Sequence, residues 1–167
     1  MTKPTTIFLG PDGAFLENQE EKKIFVRTLL YSTSERGQYI QNMYVRLRRG
    51  ESVQNFNVWV YGDGGLVRGS GVFVNKEGIS SNHHFLLPRN TVYEFLPGEY
   101  HLEVFVETVD NKTYKIFEQL LNITPAQYEE VIGNKSGIFY DWAPNSQNYD
   151  AHVDRRNRKG KALPDLT

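Results

Sequence analysis

Between Gly98 and Thr108 polar and apolar residues take turns. Tyr100, Leu102, Val104 and Val106 share one parity, and His101, Glu103, Phe105 and Glu107 share the other. A strand sends successive side chains to opposite faces, so a period of two describes a strand with one buried face. Asp110-Asn111 then supply a turn and residues 113–123 a return, so 98–124 reads as one antiparallel hairpin. The same alternation runs through 39–48, where Met43, Val45 and Leu47 oppose Tyr44, Arg46 and Arg48. In 53–61 it sets Phe56, Val58 and Val60 against Asn55, Asn57, Trp59 and Tyr61, which predicts one strand with Trp59 and Tyr61 on its wetter face.

Weaker patterns fill in the rest. Residues 5–9 predict a first strand closed by a Pro11-Asp12-Gly13 turn, and 17–23 reads as a charged loop. Residues 23–31, 66–75 and 83–87 predict further strands, the last stopped by Pro88. Gly69 and Gly71 interrupt 66–75 and point to a bulge or a close backbone approach. Turn clusters at 32–37, at 62–65 and at Pro97-Gly98 separate these runs. Some seven or eight short strands at this spacing predict an all-β antiparallel sandwich, immunoglobulin-like in the loose sense.

One helix is signalled near 124–132. Thr124 is placed to cap it, Pro125 suits its first position, and Gln127 completes a capping box. Tyr128, Val131 and Ile132 share a face, and Gly133 is the expected left-handed stop. After it the composition changes. An aromatic knot at 138–142 gives way to a polar tail whose 154–161 stretch holds five cations and one anion. The expected organisation is therefore a β-sandwich domain at 1–133 and an extended aromatic and basic segment at 134–167 that serves as a linker or docks on a partner.

Composition narrows the chemistry. The 167 residues include no cysteine, so disulfides and thiolate chemistry are excluded. Nineteen basic residues balance twenty acidic ones, so no global field pulls the chain toward nucleic acid or anionic lipid. The apolar run at Ile7-Leu9 is too short for a signal peptide or a membrane span, and the expectation is a soluble protein made in a cytoplasm.

Each candidate site in the sequence also has a plainer reading. His83 and His84 are adjacent on a strand and so face opposite ways, and His101 has no carboxylate or thiolate at a ligand spacing near them. No metal and no cofactor is expected. Asn55, Asn57, Trp59 and Tyr61 could form an aromatic platform with amides for stacking a sugar such as a cell-surface glycan; burial or an interface is the plainer reading. The glycine clusters at 62–65 and 69–71 precede no helix and are not phosphate loops. No Gly-x-Ser-x-Gly motif occurs, and a non-enzymatic role is expected. In the C-terminal segment, Phe139, Tyr140 and Trp142 with Arg155, Arg156 and Arg158 are the expected partner-binding residues, directed at protein subunits in a homo- or hetero-oligomeric assembly rather than at nucleic acid.

A cadence runs from Lys23 to Thr124 through Tyr44-Val45-Arg46-Leu47, Asn57-Val58-Trp59-Val60-Tyr61-Gly62 and Phe85-Leu86-Leu87-Pro88, then Leu96-Pro97-Gly98-Glu99-Tyr100 and Leu121-Asn122-Ile123-Thr124. It resembles the N-terminal immunoglobulin-like domain of baseplate upper proteins from tailed phages of Gram-positive bacteria. The resemblance implies a structural virion component, assembled in host cytoplasm, that makes protein–protein contacts in a tail or baseplate. In that family the domain leads into a helical linker, whereas here the short helix gives way to an aromatic and polar segment. A carbohydrate-binding module on the Trp59 platform is the alternative.

Overall fold

In the computed structural model, residues 1–16, 19–62 and 67–156 are described. They form an all-β antiparallel sandwich with one short helix. In chain order the elements are β1 (Thr6–Leu16), β2 (Gln19–Leu30), β3 (Gln38–Arg49), β4 (Ser52–Phe56), β5 (Val58–Tyr61), β6 (Val67–Arg68), β7 (Val72–Val74), β8 (Ile79–Leu86), β9 (Gly98–Thr108), β10 (Thr113–Ile123), α1 (Pro125–Asn134), β11 (Ile138–Ala143) and β12 (Asn148–Val153). One sheet has seven strands in the order β12-β11-β1-β2-β8-β5-β6. The other has five, with β10-β9-β3-β4 in sequence and β7 also on β3.

The predicted hairpin is β9 and β10. Its Tyr100, Leu102, Val104 and Val106 are buried against the other sheet, as a period of two requires. The Tyr100 hydroxyl donates back to the Leu96 carbonyl at 2.6 Å, pinning the turn that delivers the chain to β9. Met43, Val45 and Leu47 of β3 join the same core.

Elsewhere the strands divide differently. Residues 53–61 form two strands, because the chain leaves one sheet after Phe56 and enters the other at Val58. That crossing resets the alternation: Phe56 and Trp59, three positions apart, both lie in the core. Residues 66–75 split likewise into β6 on β5 and β7 on β3. Gly69 sits at that crossing, where a methyl group would collide with the Trp59 ring, so the close backbone approach is real. Pro11-Asp12-Gly13 makes no chain reversal. It lies inside β1, at a register irregularity between Pro11 and Phe15, and the pairing strand β2 already begins at Gln19 within the expected charged loop. Of the 62–65 glycine turn, residues 63–65 lie outside the described residues.

Helix α1 has the predicted capping box: Thr124 Oγ1 accepts from the Gln127 amide, and Gln127 Oε1 accepts from the Thr124 amide. Its left-handed terminus is Lys135 at φ 49°, two residues beyond Gly133. The segment expected to be extended instead begins with a hairpin. β11 pairs with β1, β12 pairs with β11, and the two finish the seven-stranded sheet. Tyr140 is a core residue, its hydroxyl donating to the Asn122 carbonyl at 2.8 Å, and Tyr149 donates to the Pro4 carbonyl at 2.7 Å. Residues 138–153 thus complete the sandwich rather than hang from it.

Candidate binding groove on the seven-stranded sheet

Antiparallel pairing places residues directly opposite one another on the same face, so register dictates what the outer face of the seven-stranded sheet displays. His152 pairs with Phe139, Phe139 with Phe8, Phe8 with Phe25, and Phe25 with His84. Five rings from five adjacent strands therefore form one row across β12, β11, β1, β2 and β8. Neighbours touch at several points: Phe8–Phe139 centroids are 4.7 Å apart, Phe25–His84 4.9 Å and Phe139–His152 5.4 Å. The last pair is nearly parallel at 18°, and the others tilt at about 45°. At such separations the rings lean on one another rather than lie flat in one plane.

The rows on either side are polar or bare. On one side Thr6 faces both Asp141 and Arg27, and Arg27 faces Asn82. This row is laced together, with Thr6 Oγ1 donating to Asp141 at 2.9 Å and Arg27 Nε donating to Asn82 at 3.0 Å. On the other side Gly10 pairs with Lys23, and the Asp154 amide bonds the Gly137 carbonyl. The two glycines leave room that the Phe8 ring occupies; a Cβ at either position would lie 2.5 Å from Phe8 Cζ.

These rows line a groove of about 750 Å³, to which Asp154, Arg155 and Arg156 also contribute. Each phenylalanine in the floor has a cation over it: Arg156 at 5.4 Å from the Phe139 centroid, Lys23 at 5.8 Å from Phe8, and Arg27 at 5.7 Å from Phe25. Asp154 is buried and grips Arg156 Nε and Nη2 at 2.9 and 3.0 Å, while Arg155 reaches back to Glu130 on α1. Lys23 is only 4% exposed, and its ammonium donates to His84 Nδ1 at 3.1 Å. Burial, with the Lys23 charge and then His83 adding to it, pushes the His84 pKa down to about 3, so this ring is neutral near pH 7.

The partner-binding residues expected from sequence divide. Phe139, Arg155 and Arg156 meet in this groove. Tyr140 is in the core, and Trp142 lies on the inner parity of β11, half-buried against Tyr149 with Lys3 over its ring at 3.9 Å. Arg158 lies outside the described residues. The sugar platform does not assemble. Trp59 is 2% exposed and donates from Nε1 to His83 Nδ1 at 3.1 Å inside the sandwich, and Tyr61 packs on Trp59. Asn55 belongs to β4 in the other sheet, and Asn57 is the crossing residue between them. The contribution of Phe8, Phe25, His84 and His152 went unread, because single strands do not reveal which distant residues their registers align.

His83 and His84 do face opposite ways, one into the core beside Trp59 and one onto the outer face. His101 is on the other sheet, near Glu103 and Glu118. There Glu118 takes His101 Nε2 at 3.0 Å and Lys115 at 2.7 Å, and Glu103 takes Arg48 at 3.0 Å. Cross-strand Glu103 and Glu118 would repel, and Lys115 and Arg48 supply the neutralising charge. No helix among the described residues is long and apolar enough to cross a membrane. Comparison with protein-family models, with curated proteins and with solved structures returns no match for this chain.

Proposed function

We propose that the chain is a non-enzymatic structural or assembly protein that holds a partner protein on the outer face of its seven-stranded sheet. The observation that carries this reading is the row of five rings in register at the base of a cation-rimmed groove. Apolar rings with charged neighbours are what interface hot spots are built from. Several charged groups lining the groove are already engaged: Arg155 with Glu130, Arg156 with Asp154, Asp141 with Thr6. His84 stays neutral to about pH 3 and so has little basicity to offer near neutrality. These features suit holding better than proton transfer. The resemblance of Lys23 to Thr124 to phage baseplate upper proteins makes a tail or baseplate, and so a virion, the setting proposed for this docking.

Site-specific photo-crosslinking in the native host tests it. A photoreactive phenylalanine analogue at Phe25, in the groove, should capture a defined protein, and capture should fall when Arg156→Glu is added. The same analogue at Tyr44, on the outer face of the other sheet, is the control. Equal adducts from both positions, or none from Phe25, would refute the docking face.

A further inference from the structure

Resting on that docking reading, we infer that the groove takes an acidic, apolar-rich segment of a partner polypeptide, its carboxylates meeting the exposed Arg27 and Arg156. The chain as a whole is balanced at nineteen basic and twenty acidic residues. The groove is not: with Arg155 paired to Glu130 and Arg156 to Asp154, its lining still holds Lys23 and Arg27 against Asp141. The excess is placed where it matters, with a cation over each phenylalanine of the floor. A segment that rests apolar side chains on those ring edges brings its alternate residues to the cations. Arg27 is exposed and bonds Asn82, and no carboxylate among the described residues pairs with it. Five strands at about 4.8 Å spacing make the ring row about 19 Å across, the reach of about six extended residues.

A single-stranded nucleic acid also carries negative charge, but it binds by laying bases flat on open ring faces. Here the rings lean on one another, and Asp141 faces Asp150 directly across β11 and β12 beside them. Phosphates repeat at every nucleotide and would meet that acidic pair, whereas a peptide can carry carboxylates only where Arg27 and Arg156 stand.

The test uses the full chain and three fluorescent probes. One is a peptide of about eight residues alternating Glu with Leu and Phe, the second carries Lys at each Glu position, and the third is an oligothymidine of about ten nucleotides. Anisotropy gives affinity, and amide chemical shifts locate the binding. The glutamate peptide should bind at least about tenfold more tightly than its lysine twin, weaken with added salt, and shift amides of β1, β2 and β11. Arg27→Gln and Arg156→Gln, both at exposed positions, should each weaken it about threefold to tenfold. Equal binding of both peptides in the groove overturns the acidic preference and leaves the docking face standing. Failure of both peptides to move any groove amide overturns both. Tighter binding of the oligothymidine overturns the peptide as occupant.

Discussion

The seven-stranded sheet carries a row of apolar side chains on each face, and the two rows meet different fates. On the inner face Val153, Ile138, Leu9, Ile24, Phe85 and Trp59 stand opposite one another across six strands. All are buried under the five-stranded sheet. On the outer face His152, Phe139, Phe8, Phe25 and His84 repeat the arrangement one residue along each strand, but no second sheet among the described residues covers them. Their shielding comes from the Phe8 ring folded over two glycines and from cations laid across the phenylalanines. A fully covered row is a core. A row covered by long cationic side chains keeps its shape while leaving the edges of the half-buried Phe25 and Phe139 for a partner.

The sharpest way to break this contrast is to delete the same side chain from each row. Phe85→Ala empties a site with no solvent contact and should cost about 3–5 kcal/mol in urea denaturation. Phe139→Ala, in a half-buried ring, should cost about 1 kcal/mol, because water and Arg156 can close over the gap. Equal losses would mean that the outer row is as much a core as the inner one. Next in size is Gly137→Ala. Its methyl would meet the Phe8 ring at 2.5 Å and the Leu9 carbonyl oxygen at 2.6 Å, so ring and backbone must both shift. A loss of about 1–3 kcal/mol is expected, with near-ultraviolet and amide-shift changes confined to the groove floor.

The two rows also differ in how legible they are. A buried face could be read wherever a strand keeps one partner sheet over its length, as β9 and β3 of the five-stranded sheet do. The alternation failed at Asn57 because parity holds only within one sheet, and a single crossing residue carried Trp59 from the expected wet face into the core. In β11 aromatics occupy both parities, Phe139 and Trp142 as well as Tyr140, so no polar–apolar period marks it as a strand. The helix was readable to its capping box, since Thr124 and Gln127 act locally, but its end was not: the left-handed turn falls on Lys135 although Gly133 was nearer. The groove needed five registers at once. Phe139, Arg155 and Arg156 were found through composition, while Phe8, Phe25 and His84 lie more than fifty residues away from them.

The smallest effect probes how far the outer face has been dried. His84 lies on that face yet titrates like an interior group, its pKa pushed from an ordinary 6.5 to about 3 by burial first and by the Lys23 charge second. An unfolded chain takes up a proton on this histidine below about pH 6.5, whereas the folded chain refuses it until about pH 3. The histidine's contribution to stability is therefore whole above 6.5 and drains away as the pH falls toward 3. Carboxylates titrate in part of the same range, so the wild type must be compared with His84→Gln, which cannot take up that proton. Between about pH 7 and pH 6 the wild type should lose about 0.7 kcal/mol more than the variant, measured from urea midpoints. Parallel curves would mean that His84 charges freely, that water reaches Lys23 and the ring row, and that the outer face is an ordinary wet surface. A steeper wild-type curve fits a row shielded on one side by its own cations, so that only the ring edges still in contact with water are left for a partner to cover.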